Sequence, residues 1–215
     1  MQLNDMLFPY NDNYYQKMYI NPILMKLRIA KIYYLWTAFF CLIRSSGVKK
    51  DEKVLDFGCG IGNLVWALRK LGFDAMGVDS SKSAKKYCRV PEHCCYIQTD
   101  KLPYKDSTFG LVYSNEVLEH IPRSRLDSYI KELYRVSKGA MIHMICVKER
   151  GEIVKQDKTH EIIESEKWWE NKFKSLSFKV KKGNLFYFFP NIFSGKLKLS
   201  GIKSGYFYIY KRKKK

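Results

Sequence analysis

The chain has no apolar run long enough to span a bilayer. Its longest, residues 32–43, has 12 residues, against the roughly 20 a membrane helix needs. Lys26, Arg28 and Lys31 break the stretch before it. An amphipathic helix packed on the domain is the expectation, with a membrane-surface helix as the alternative. The opening Met1-Gln2-Leu3-Asn4-Asp5 lacks the basic start of a secretory signal. Cysteine is scarce and unpaired in pattern: Cys41, Cys59, Cys88, Cys94, Cys95 and Cys146 include no Cys-x-x-Cys. That reads as free thiols in a reducing, cytoplasmic setting. Cys88, His93, Cys94 and Cys95 lie close together, but two adjacent cysteines do not give the usual zinc spacing. The 6 prolines form no hinge, and there is no low-complexity linker or internal repeat.

Acidic residues are missing from 171–215, which holds 13 Lys or Arg. The first 170 residues carry 26 basic against 21 acidic, so most of the net +18 comes from the end of the chain. A basic segment suits an anionic partner: a phosphorylated small molecule, nucleic acid or anionic lipid. The plainer reading is a solvated basic face with a tail at 211–215. What remains is a chain of 215 residues, 46 % hydrophobic, the size of one α/β domain. Such a domain buries roughly 70 % of its unfolded surface and needs no staple. The expected organisation is a helical cap and substrate segment at 1–50, a main domain at 51–210 and the basic tail.

After residue 50, strand and helix signals alternate. Strands are expected at 53–57, 74–78, 95–98, 110–114 and 141–146, with two late ones at 178–180 and 206–210. Helices are expected at 63–71, 80–88, 124–136 and 164–175. This alternation predicts a Rossmann-like, doubly wound α/β fold: a mostly parallel seven-stranded sheet with helices on both faces. Ligands in such sheets bind beyond the carboxyl ends of the strands, at the switch point.

The chemistry-bearing residues fall at those ends. The first strand runs into Asp56-Phe57-Gly58-Cys59-Gly60-Ile61-Gly62-Asn63. The glycines permit a sharp turn and a close ligand approach, and the helix start offers free amides. A dinucleotide fingerprint would place a third glycine at position 63, where Asn63 stands. Asp56 would repel a pyrophosphate but suits a ligand bearing an ammonium group. Asp79, at the tip of the second strand, is placed to accept both ribose hydroxyls of an adenosine. Asp100, after the third, can accept from an exocyclic adenine amine. The fourth strand ends at Ser114-Asn115-Glu116, where its tip borders the reacting group.

The ordered set VLDFGCGIGN, GVDSS, QTD, SNEVLEHI and RLDSYIKELYRVSKGAMIHMI resembles the class I methyltransferases of the type 11 kind. The likeness covers about residues 50–146. It implies S-adenosylmethionine as cofactor, with Asp56, Gly58 and Gly60 at its methionine end, Asp79 at the ribose and Asp100 at the adenine. Asn115 would lie beside methionine and ribose. With Cys59, Ser80 and Thr99 these make up the expected cofactor set. Glu116-x-x-Glu119-His120 and Asp157-Lys158-Thr159-His160 also resemble the quinone-biosynthesis O-methyltransferases, some of which hold a metal at the first motif. The same text occurs in type 11 enzymes of unrelated substrate, so no metal is expected.

Methyl transfer is an in-line displacement at a sulfonium carbon, helped mainly by alignment. A hydroxyl acceptor also needs a base, and histidine is the usual one at neutral pH. His120 and His160 follow the fourth and fifth strands, on the ligand side, and are the candidates, His160 being favoured. His143 lies within the fifth strand and reads as a packing residue; His93 has no partner in view. Tyr14, Tyr15 and Tyr19, and the aromatic run 185–190, are candidate walls. The expectation is methylation of a small-molecule acceptor or a glycan or lipid precursor, at oxygen. Two alternatives stand: an RNA or protein methyltransferase using the basic segment, and a non-catalytic binding subunit. Against the first, no RNA-binding module is recognisable, and the Asn/Asp-Pro-Pro-Tyr text of base-methylating enzymes is absent.

Overall fold

The computed structural model describes residues 12, 34, 35, 38, 42, 43, 46–99, 101–150, 157–183 and 204–210. The Tyr14, Tyr15 and Tyr19 wall, Asp100, the aromatic run 185–190 and the tail 211–215 lie outside them.

The described elements run in chain order as strand β1 (Lys53–Phe57), helix α1 (Asn63–Lys70), β2 (Asp74–Asp79), α2 (Lys82–Lys86), β3 (Cys94–Tyr96), β4 (Phe109–Asn115), α3 (Leu126–Val136), β5 (Ser137–Cys146), α4 (Glu166–Ser175), β6 (Lys179–Gly183) and β7 (Ser204–Tyr210). They form one seven-stranded sheet in the order β3-β2-β1-β4-β5-β7-β6. The first five strands pair in parallel. β7 runs antiparallel to both β5 and β6. The chain steps outward from β1 to β3, then returns to place β4 on the other side of β1. The switch point therefore lies between β1 and β4.

Alternation along the strands sorts the core into two faces. Val54, Ala75, Leu111, Tyr113 and Ile142 pack with Leu64, Ala67 and Leu68 of α1, and with Ala38 and Leu42. Leu55, Val112, Met141 and Ile145 pack with α3 and α4 on the other side. α3 buries Leu126, Ile130, Leu133 and Val136, a stripe at helical spacing. Each such side chain contributes about 1.5–3 kcal/mol on full burial. Ser81 and Ser165 cap α2 and α4, accepting from the amides of Ala84 and Trp168.

The boundaries depart from the sequence reading in a few places. β3 occupies 94–96 rather than 95–98, pairing Cys94 with Gly77 and Tyr96 with Asp79, the last residue of β2. β5 begins at Ser137, four residues earlier than expected, because the chain enters it directly from α3. A register irregularity near Gly110 and Gly139 lets the extra length pair with β4.

Candidate functional site

The loop leaving β1 turns on three glycines in left-handed geometry: Gly58 at φ 78°, Gly60 at 52° and Gly62 at 77°. A Cβ at Gly58 would sit 2.2 Å from Val117 Cγ2, so this position excludes a side chain on two counts. The amides of Gly58 and Cys59 donate to the Val78 carbonyl at 2.7 and 3.1 Å. The Gly60 amide donates to Asp79 Oδ2 at 2.7 Å, and the Ser81 amide to Asp79 Oδ1 at 2.8 Å. Asp79 thus braces the loop while its carboxylate keeps further lone pairs for a ligand. Burial holds its pKa above the usual carboxylate range, partly offset by the amides of Ser81, Gly60 and Ser80.

Asp56 is 4 % exposed. Burial pushes its pKa well up, and the neighbouring Cys94 and Asp79 push the same way. An ammonium group beside that carboxylate would reverse the shift. It lines an open hollow of about 540 Å³, counting the part open to solvent, with Tyr34, Gly58, Cys59, Gly60, Asn63 and Asn115 among its walls. The hollow sits at the switch point, between the ends of β1 and β4.

Of the expected cofactor set, Asp56, Gly58, Cys59, Gly60 and Asn115 meet in this hollow. Asp79 and Ser80 lie next to it, joined through the Gly60 amide. Thr99 is exposed and its hydroxyl accepts from the Lys101 amide at 3.2 Å. The sequence reading missed Tyr34, Ile61, Asn63, Leu64 and Tyr113 as walls. Asn63 carried a signal, standing where a dinucleotide site has glycine; its Oδ1 accepts from Arg89 at 2.8 Å. Tyr113 read only as strand.

The two candidate bases, 40 positions apart in the chain, come together. The His120 and His160 ring centroids are 4.7 Å apart. The 3₁₀ turn Leu118–His120 holds the later segment: the Glu119 carbonyl accepts from the amides of Glu161 and Ile162 at 2.9 and 3.0 Å. The buried Glu119 side chain accepts from the Cys146 amide at 2.6 Å, which turns that carboxylate toward β5. His120 Nδ1 lies 3.1 Å from the Thr159 carbonyl and 2.7 Å from its hydroxyl. A carbonyl can only accept, so the proton is assigned to Nδ1 and the lone pair to Nε2. Burial lowers the His120 pKa, with His160 adding to it and Thr159, Asp157 and Glu116 opposing. Asp157 Oδ1 accepts from the Thr159 amide at 2.9 Å, and its Oδ2 lies 3.7 Å from His160 Nε2. Neither histidine is among the walls of the hollow.

His120, Asp157 and His160 present ligand atoms within 4.8 Å of one another, as do Glu119, Cys146 and His160. His160 belongs to both sets, so one ion at most can use it. Elsewhere, His143 is wholly buried, its Nδ1 2.8 Å from Ser114 Oγ and its ring stacked on Phe173. His93 lies 3.3 Å from Glu92 Oε1.

The mostly parallel sheet, the glycine loop and the strand-tip Asp79 define a Rossmann-like α/β protein with a ligand hollow at its switch point. Residues 55–142 match the methyltransferase domain family Methyltransf_11. The match, together with methyltransferase relatives and structural neighbours, supports a class I S-adenosylmethionine-dependent methyltransferase domain in this part of the chain, and S-adenosylmethionine is the cofactor of that class. It is 31 % identical over 153 residues to an uncharacterised Methanocaldococcus jannaschii protein, across 71 % of this chain and 66 % of that one. It is also 31 % identical over 133 residues to cycloartenol-C-24-methyltransferase 1 of Oryza sativa subsp. japonica, across 56 % of this chain and 38 % of the enzyme. The chain thus spans less than two thirds of these relatives. Among solved structures, a Haloferax volcanii methyltransferase in complex with the Trm112 methyltransferase activator shares the fold: TM-score 0.65, 16 % identity, 81 % of this chain and 89 % of that one. No helix among the described residues is long and apolar enough to cross a membrane.

Proposed function

We propose that the chain transfers the methyl group of S-adenosylmethionine to an oxygen of a small-molecule acceptor, or of a glycan or lipid precursor. The cofactor lies in the hollow between β1 and β4. Asp56 meets its ammonium group, Asp79 its ribose hydroxyls and Asp100 its adenine amine, while the Gly58 to Gly60 backbone lies along it with Cys59. Asn115 contacts the methionine and ribose side, and Ser80 and Thr99 flank the strand-tip acids. The basic balance of the chain favours an anionic acceptor.

The observation behind oxygen as the target is the His120, His160 and Asp157 cluster. A hydroxyl must shed its proton as the methyl carbon leaves sulfur. His120 is neutral at pH 7, because burial holds its pKa down, and with Nδ1 turned to Thr159 its Nε2 is the nitrogen that takes the hydroxyl proton. The imidazolium formed by proton transfer is stabilised by Asp157. Such a base contributes typically 10²–10⁴-fold in rate.

The test is a screen of the purified chain with methyl-labelled S-adenosylmethionine against hydroxylated small molecules, glycan and lipid precursors, RNA and protein. Label is expected in a methyl ether or ester of a small acceptor. His120→Gln should lower kcat by roughly 10²-fold or more with cofactor affinity unchanged. Label found only in RNA, in protein or on carbon would overturn the reading.

A further inference from the structure

Three thiols meet beside the cofactor loop. Gly77 of β2 stands between Asp56 of β1 and Cys94 of β3 in the sheet. A Cβ there would lie 2.6 Å from Cys59 Sγ and 3.0 Å from Cys94 Sγ. The missing side chain is the space in which those two sulfurs converge. Gly62 repeats the arrangement: its Cβ would lie 3.1 Å from Cys94 Sγ and 3.4 Å from Cys88 Sγ. Two bare glycines thus admit three sulfurs, with Cys94 in the middle. All three cysteines are free thiols; Cys59 is buried, while Cys88 and Cys94 are half-buried.

The surroundings of each thiol set the roles. The neighbouring thiols of Cys59 and Cys88 hold the Cys94 thiol below its ordinary range against the effect of burial, while the Cys59 thiol donates to the Gly60 carbonyl at 3.7 Å. The nearby Cys94, together with burial, pushes the Cys59 thiol well up. A thiolate is the nucleophile in sulfur chemistry, so Cys94 attacks first and a neighbour resolves. Cys59 sits between Gly58 and Gly60, in the loop assigned to the cofactor.

We propose that Cys94 and Cys59 form an oxidative modification site, at which a hydroperoxide converts the two thiols to a disulfide that displaces the glycine-rich loop and weakens cofactor binding. With hydrogen peroxide, the Cys94 sulfur attacks one oxygen and the O–O bond breaks. One water leaves, and Cys94 becomes a sulfenic acid. The Cys59 sulfur then attacks Cys94 sulfur, the S–O bond breaks, and a second water carries off the Cys59 proton. The thiols lose two electrons and the peroxide gains two. A disulfide bond is about 2.05 Å long, so the sulfurs must close from contact distance. Cys59 moves with its sulfur, and both its own 3.1 Å amide bond to the Val78 carbonyl and the 2.7 Å bond from the Gly60 amide to Asp79 lengthen with it.

The loss of affinity rests on the loop being the cofactor site; the disulfide itself does not. The experiment treats the reduced full chain with hydrogen peroxide, maps disulfides by peptide mass spectrometry, and titrates S-adenosylmethionine by calorimetry before treatment, after it, and after dithiothreitol. A Cys59–Cys94 linked peptide is expected. Affinity should fall by roughly tenfold or more, the size of a lost hydrogen bond to a charged acceptor, and return with reductant. Cys94→Ser should bind the cofactor before treatment and keep its affinity after it, while Cys88→Ser should still lose affinity. No linked peptide, a Cys88–Cys94 link in its place, or a Cys59–Cys94 bond with unchanged affinity would overturn the proposal. Failure of the reduced chain to bind S-adenosylmethionine would instead remove the loop assignment, with the peptide map still deciding the thiol pair.

Discussion

In the proposed cofactor site, Asp79 serves the loop and the ligand with the same carboxylate. Its two oxygens accept the Gly60 and Ser81 amides, and a carboxylate offers about four acceptor sites. The remaining sites suit two ribose hydroxyls, in bonds to a charged acceptor that are stronger than neutral ones. Asp79→Ala is therefore expected to weaken S-adenosylmethionine binding by on the order of 2–4 kcal/mol, read by calorimetry. Unchanged affinity would remove Asp79 from the site. The strand-tip acid and the glycine loop were both legible in the sequence, because backbone geometry demands those residue types at fixed offsets. The convergence of His120 and His160 was legible only as two separate positions. What joins them is the docking of residues 157–162 onto the turn after β4 through the Glu119 carbonyl, and backbone hydrogen bonds of that kind leave no residue-type signature.

At the scale of the elements, the sheet is held in register where strands approach most closely. A Cβ on Gly139 would lie 2.2 Å from the Gly110 carbonyl oxygen, a backbone atom that cannot rotate away. The irregularity in β4 and β5 pairing falls at these two glycines, and bulges of this sort commonly carry glycine. Gly139→Ala should force the strands apart and cost about 1–3 kcal/mol, seen as a lower urea midpoint with an unchanged slope. In the sequence Gly139 simply follows the helix expected at 124–136; its duty of letting β5 begin early beside β4 depends on Gly110, 29 positions upstream. Periodicity found the core of each element, but the ends follow from partners. β3 is short because β2 stops at Asp79, opposite Tyr96, and a strand cannot extend past its neighbour's ladder.

Across the whole molecule, acid stability should depend on one histidine in the middle of the sheet. His143 is wholly buried in β5, and burial lowers its pKa from an ordinary 6.5 to about 3. The unfolded chain therefore takes up a proton near pH 6.5 that the folded chain refuses until near pH 3. Between those values the unfolded state binds more protons, so stability rises with pH. The contribution is complete above about pH 6.5 and is lost progressively as pH falls toward 3, by about 1.4 kcal/mol per pH unit. His120, also held down chiefly by burial, acts in the same direction. Carboxylates such as Glu132, whose pKa is lowered first by Arg135, lose their contribution only at lower pH. Buried acids such as Asp56, whose pKa burial pushes well up, act in the opposite direction, so His143 is isolated by comparing urea unfolding at pH 6.5 and pH 5 between the wild type and a variant lacking the ring. The wild type should lose about 2 kcal/mol over that interval from His143. His143→Leu removes the titrating ring and leaves the Ser114 hydroxyl without it, so it should start lower at pH 6.5 and fall by distinctly less. Equal falls in the two proteins would mean that the folded chain protonates His143 as readily as the unfolded one, and that the sheet opens around it before it unfolds.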